Sequence, residues 1–79
     1  MPTLGEFIAR AKRYGYTKQT IRIPELRVKL VYLRRGTGET AKLVDLPSAA
    51  ESLRLEREVV LSLCMMAGIP PEDFGLAEE

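Results

Sequence analysis

The sequence contains no histidine and a single cysteine among its 79 residues. Without histidine the chain cannot form a Ser-His or Cys-His nucleophilic pair or a zinc site with histidine ligands, and it lacks the commonest general base near neutral pH. One cysteine cannot form an internal disulfide. Cys64 lies between Leu63 and Met65, so we predict a buried structural thiol and not a reactive one. No cofactor is expected from these residues.

Long apolar runs are also missing. The longest, residues 59–69, is interrupted by Ser62 and falls well short of the roughly 20 residues that a membrane span needs. No segment has the pattern of a secretory leader, so we expect a cytoplasmic protein with no membrane partner and no evident small-molecule site. With 46 % apolar and 29 % charged residues, the composition predicts one globular domain over residues 1–79.

The small net charge of +1 conceals a strong asymmetry along the chain. Ten basic and three acidic residues lie before position 43, whereas two basic and eight acidic residues follow, so the two parts carry +7 and −6. This distribution indicates a basic face that attracts phosphates or an acidic protein. The alternative is that the two parts neutralise one another within the fold or in a head-to-tail dimer.

Periodicity predicts a helix over about residues 4–14. Thr3 and Glu6 have the spacing of a capping box, in which each side chain satisfies a backbone N–H group at the start of the helix. One apolar stripe follows at helical spacing, formed by Leu4, Phe7, Ile8 and Ala11. Gly15 is the expected stop, because glycine readily takes the left-handed conformation at a helix end.

Three strands are predicted over about residues 17–23, 27–35 and 40–46. β-branched residues favour the first strand, the Pro24-Glu25 turn ends it, and a glycine-containing loop joins the second strand to the third. Because side chains alternate along a strand, the second strand has two faces. We assign Val28, Leu30 and Tyr32 to the core, and Arg27, Lys29, Val31 and Leu33 to the opposite face.

A second helix is predicted over about residues 55–67, ending at Gly68. Its broad apolar face comprises Leu55, Val59, Val60, Leu63, Cys64, Met66 and Ala67, and we expect Met65 and Met66 to pack in the core. Phe74 is expected to fold back on that core. The resulting prediction is an α+β two-layer domain, α-β-β-β-α, in which two helices cover one face of a three-stranded antiparallel sheet.

Four segments in this order, RAKRYGYT, RIPELRVKLVYLRRG, GTGETAKLVDLP and CMMAGIPPEDFGL, resemble the HicA family of small toxins. Members of this family share the fold of double-stranded RNA-binding domains. The resemblance extends from Leu4 to Leu76, and its best motifs are the Gly15-Tyr16 pair and the closing AGIPPEDF. It implies a ribosome-independent RNA-cleaving toxin that a partner antitoxin neutralises, with a catalytic histidine at the start of the second strand.

The sequence departs from the HicA pattern at the catalytic position. Where the family has glycine, serine and histidine, this chain has the neighbourhood of Pro24 to Lys29 and no histidine. No catalytic residue carries over, which argues against ribonuclease activity. Glu25 is a candidate general base, with Arg27 or Lys29 stabilising charge on phosphorus. A surface glutamate beside a turn explains the same residues.

A functional hypothesis therefore depends on the basic residues around the second strand. These are Arg22, Arg27, Lys29, Arg34, Arg35 and Lys42. If they share the open sheet face or its rim, they contact RNA phosphates without reading sequence, as in a catalytically silent HicA-like domain. The alternative is a protein-interaction module, in which the same face or the sheet edge binds an antitoxin-like partner or a second copy of the chain.

Overall fold

The computed structural model describes residues 1–76, and within them it has two α-helices and three β-strands. Along the chain these are α1 (Leu4–Lys12), β1 (Thr17–Ile23), β2 (Val28–Arg35), β3 (Lys42–Asp45) and α2 (Arg57–Ala67). Short 3-10 turns occur at Pro24–Leu26, Gly38–Thr40 and Pro71–Phe74. The predicted α+β class and the order of the elements are confirmed. No helix in this part of the chain is long and apolar enough to cross a membrane.

The sheet is an antiparallel meander in the order β1-β2-β3. β1 pairs with β2 along its whole length, from Thr17 opposite Arg34 to Ile23 opposite Val28. β3 is much shorter and pairs with the end of β2, from Tyr32 opposite Asp45 to Arg35 opposite Lys42. The β1–β2 hairpin therefore extends well beyond β3.

α1 begins with the predicted capping box. The Thr3 side chain accepts a hydrogen bond from the Glu6 N–H at 3.1 Å, and the Glu6 carboxylate accepts one from the Thr3 N–H at 2.8 Å. These bonds lower the pKa of Glu6. The helix ends at Lys12, two residues before the predicted end, and Gly15 follows with a φ of +89°.

One hydrophobic core lies between the helices and the sheet. Its largest fully buried side chains are Tyr16, Phe7, Leu4, Leu33, Val44, Val60 and Cys64. Phe74 does fold back, and its ring stacks on Phe7 with 5.3 Å between the ring centroids. Burial raises the pKa of the Cys64 thiol, in agreement with the predicted structural role of this residue.

The predicted orientation of β2 was wrong. Leu33 is fully buried and Val31 packs against the core, whereas Val28 and Leu30 are 41 % and 48 % exposed. Lys29 shares the helix-covered side with Leu33, and Arg27 precedes the strand. The orientation follows from the neighbouring strand, because Leu33 lies opposite Val44, which is itself buried against the helices.

The predicted apolar face of α2 was too broad. The helix begins at Arg57, two residues after the predicted start. Its buried stripe consists of Val60, Leu63, Cys64 and Ala67. Val59 and Met66 lie on its exposed side, and Met65 is 84 % exposed, so the methionine pair is not part of the core. The small sheet has room for one stripe of the helix, and the remaining apolar side chains face outward.

Candidate functional site

Residues 21–30 form the projecting end of the β1–β2 hairpin, and we call them the hairpin arm. None of these residues is buried, and all except Ile23, which is half-buried, are exposed. β3 ends before it reaches this part of β2. At the base of the arm the Ser48 hydroxyl donates to the Lys29 carbonyl at 3.5 Å, and residues 47–51 lie beside the Lys29 side chain. The rest of the arm is a two-stranded ribbon, an arrangement that is marginally stable by itself in water.

Three of the six candidate basic residues come together on the arm. Arg22 and Lys29 are directly opposite one another in the β1–β2 register, so they project from the same face. Arg27 joins them along an open groove whose lining contains no acidic side chain. Like charges in opposite positions of a sheet repel each other. The groove therefore offers three cations that an external anion would stabilise.

The backbone at Arg27 has a left-handed conformation. Its φ of 53° makes it the one non-glycine residue with positive φ among residues 1–76. It ends the Pro24–Leu26 turn, and its N–H donates to the Pro24 carbonyl at 3.1 Å. Glycine takes this conformation without a steric cost, whereas other residues pay about 1–2 kcal/mol. An arginine at such a position is a strained residue at the tip of the arm, the kind of outlier that clusters at functional sites.

The other three basic residues lie away from the groove. Arg34 is exposed on the sheet face opposite the helices, whereas Arg35 and Lys42 share the helix-covered side. The Lys42 ammonium lies beside Gly68 at the C-terminal end of α2, where the helix dipole favours a cation. The six residues therefore do not form one continuous basic face.

The Arg35 side chain contacts the segment that follows α1. Its guanidinium lies 4.8 Å from the centre of the Tyr16 ring and donates a hydrogen bond to the Tyr14 carbonyl at 3.3 Å. The Tyr16 hydroxyl donates in turn to the carbonyl of Ala67 at 2.6 Å. These contacts fasten the ends of α1, β2 and α2 to each other, so we assign Arg35 to the stability of the domain.

The sheet face opposite the helices is largely apolar. Alternation and register place on this face Ile21, Ile23, Val28, Leu30, Tyr32 and Leu43, with the polar residues Thr17, Gln19, Arg34 and Asp45. We call this set the open face. Strand alternation predicted an open sheet face but not its apolar residues, because Val28, Leu30 and Tyr32 were assigned to the core. The short turn after Pro24 pairs Ile23 with Val28, and this register places the apolar residues of β1 and β2 on the same face.

Glu25, the candidate general base, lies in the turn at the tip of the arm. Its side chain is exposed and forms no ion pair with another described residue. Lys18 and Glu51 form an ion pair at 2.7 Å, and the hydrogen bond from Lys18 lowers the pKa of Glu51. No group of three or more Cys, Asp or Glu side chains in the described chain is arranged to hold a metal ion.

Comparison with known proteins finds no family model that matches the chain, no significantly similar curated protein and no significantly similar solved structure. The HicA-like assignment therefore stays a prediction from the four sequence segments.

Proposed function

We propose that this chain is a HicA-like domain of a toxin–antitoxin type system that binds RNA without cleaving it. The hairpin arm is the binding element, and Arg22, Arg27 and Lys29 contact phosphate oxygens. The observation that supports this proposal most is the convergence of three cations along a groove without an acidic residue. Phosphates would relieve the repulsion between the opposed side chains of Arg22 and Lys29.

Binding of this kind depends on salt and is nearly independent of sequence. Each phosphate contact contributes about 0.7–0.9 to the slope of log K against log salt concentration. Three contacts therefore give a slope of about −2 to −3. The absence of a histidine and the exposure of Glu25 favour binding over cleavage.

The test is a salt titration of the purified protein with double-stranded and single-stranded RNA, in which the RNA is also analysed for cleavage. We expect intact RNA, and we expect Arg22→Ala and Lys29→Ala each to reduce the slope by about 1. Lys42→Ala is the matched control, because it removes a cation outside the groove and should change the slope less.

Two results would contradict the proposal. Absence of binding at low salt would exclude RNA as the ligand. Cleaved RNA would show that a histidine-free active site exists, and loss of cleavage in Glu25→Ala would place that site at the tip of the arm.

A second function is supported by the open face. Its apolar side chains include Leu43, which is 58 % exposed, and Ile21, which is 45 % exposed. Soluble proteins rarely expose contiguous apolar patches larger than a few hundred square ångströms, and such patches are often interaction sites. We therefore propose docking of a protein on the open face, on the side of the arm opposite Arg22 and Lys29.

A further inference from the structure

We infer that the open face binds the open face of a second copy of this chain, forming a symmetric dimer. This inference rests on the second proposed function and names the partner. It assigns no role to the cations of the groove, because Arg22 and Lys29 project from the other side of the sheet and Arg27 lies in the turn at the tip of the arm. All three stay accessible in the dimer. The dimer would thus present two hairpin arms to RNA.

The size of the open face suits a dimer. Along β2 it extends over the eight residues of Val28–Arg35, about 27 Å at roughly 3.4 Å per residue. A standard interface buries about 800 Å² on each partner. β1 and β2 have about this length and β3 half of it, so the open face covers roughly 300 Å² in projection. This is the scale of a small, concentration-dependent interface, and its centre is apolar, as in the core of an interface.

The charges on the open face are self-complementary. One cation, Arg34, and one anion, Asp45, lie on it, and neither forms an ion pair within residues 1–76. An acidic or basic partner would leave one of these two charges without a counterion. A second copy supplies the opposite charge for both, because in a two-fold interface a contact between Arg34 of one copy and Asp45 of the other occurs twice.

A two-fold arrangement allows Arg34 of each copy to pair with Asp45 of the other. A two-fold axis parallel to the strands, between β2 and β3, places β2 of each copy over β3 of the other. Arg34 of one copy then lies over Leu43 of the second copy, and Asp45 of that copy is two residues along the strand, about 7 Å away, within reach of an arginine side chain. The same arrangement brings Leu30 of the two copies together beyond the end of β3, so the apolar part of β2 is covered as well.

The experiment begins with sedimentation equilibrium of the purified chain over a range of concentrations. We expect a monomer–dimer equilibrium, and we expect Leu30→Glu to abolish the dimer because it places a charge at the apolar centre. Met65→Glu is the matched control: it changes an equally apolar and more exposed side chain on α2. It should leave the dimer intact.

Charge reversal gives the sharper test. Arg34→Asp and Asp45→Arg should each weaken self-association by at least about tenfold, because each creates two like-charge contacts. Mixing the two variants should restore a dimer, since every contact in the mixed pair joins opposite charges. Circular dichroism of the single variants would show that they are folded.

A wild-type chain that stays monomeric at the highest soluble concentration would overturn the inference. So would a dimer that survives Leu30→Glu, or charge-reversal variants that do not pair with each other. None of these results bears on RNA binding by the groove, so failure of the dimer and failure of the RNA proposal are distinguishable.

Discussion

The two halves of the β1–β2 hairpin differ in what surrounds the same kinds of residue. Leu33 and Leu30 are three positions apart on β2, yet Leu33 is 0 % exposed and Leu30 is 48 % exposed. Leu33 faces the helices in the part of β2 that pairs with β3, whereas Leu30 faces the opposite side of the sheet and lies in the arm, so the two leucines differ both in face and in position along the strand. The comparison teaches that the packed half supplies the stability and leaves the arm available for binding.

The largest expected effect is a difference in the free energy of unfolding between alanine variants of the two leucines. Leu33→Ala should destabilise the domain by about 2–5 kcal/mol, because it creates a cavity in the core. Leu30→Ala should change the free energy of unfolding by about 0.5 kcal/mol or less. Urea unfolding at low protein concentration, where self-association does not contribute, provides both values. Equal losses would contradict the division of the sheet into a helix-covered, packed part and an uncovered arm.

A smaller loss of stability is expected from Tyr16→Phe in the packed half. The substitution removes the hydroxyl that donates to the Ala67 carbonyl and leaves a buried acceptor without its partner. The expected cost is about 1–3 kcal/mol. Thermal unfolding measures it, and Tyr32→Phe on the open face is the control, with little or no change expected. An unchanged midpoint for Tyr16→Phe would show that this bond does not fasten α2 to the sheet.

In the arm, Arg27→Gly should increase the stability of the domain, unlike the substitutions in the packed half. Glycine takes the φ of 53° without strain, so the variant should be more stable by about 1 kcal/mol. RNA affinity should fall, since a cation leaves the groove. Denaturant unfolding and the salt titration together measure the two effects. Loss of stability without loss of affinity would remove Arg27 from the proposed interface.

The smallest effect concerns pH in the packed half. The Tyr14 hydroxyl donates a hydrogen bond to the Asp73 carboxylate, which raises the pKa of Tyr14. Because the folded-state pKa is raised, the stabilisation is fully present below the ordinary tyrosine pKa of about 10 and is lost as pH rises through the folded-state value. Unfolding from neutral to strongly alkaline pH should thus show a smaller alkaline loss for Tyr14→Phe than for the wild-type chain. Identical alkaline profiles would contradict this assignment.

Much of the fold could be predicted from local patterns. The capping box at Thr3, the glycine after α1 and the span of β1 are each determined by neighbouring residues, and all three were confirmed. The fold class followed from the order of these elements. Such features depend on interactions over a few positions in sequence, which a single chain displays directly.

The orientation of β2 could not be predicted in the same way. Apolar residues occur on both of its faces, and a shift of one residue exchanges the faces. The choice was decided by Val44, which lies opposite Leu33 and belongs to another strand. The basic residues of the candidate site depended on this choice, so alternation alone could not show that Lys29 shares a face with Arg22 and that Arg34 does not.

The most direct test of the account is native-state hydrogen exchange of the backbone amides of β1 and β2. It is best measured at low protein concentration on Asp45→Arg, whose weakened self-association keeps the chain largely monomeric there, with and without double-stranded RNA. We predict that amides in residues 21–30 exchange much faster than those paired near Leu33, and that RNA slows exchange selectively in the arm. Equal protection along the whole hairpin in the free protein, or no protection of the arm by RNA, would contradict the claim that the arm is an uncovered binding element.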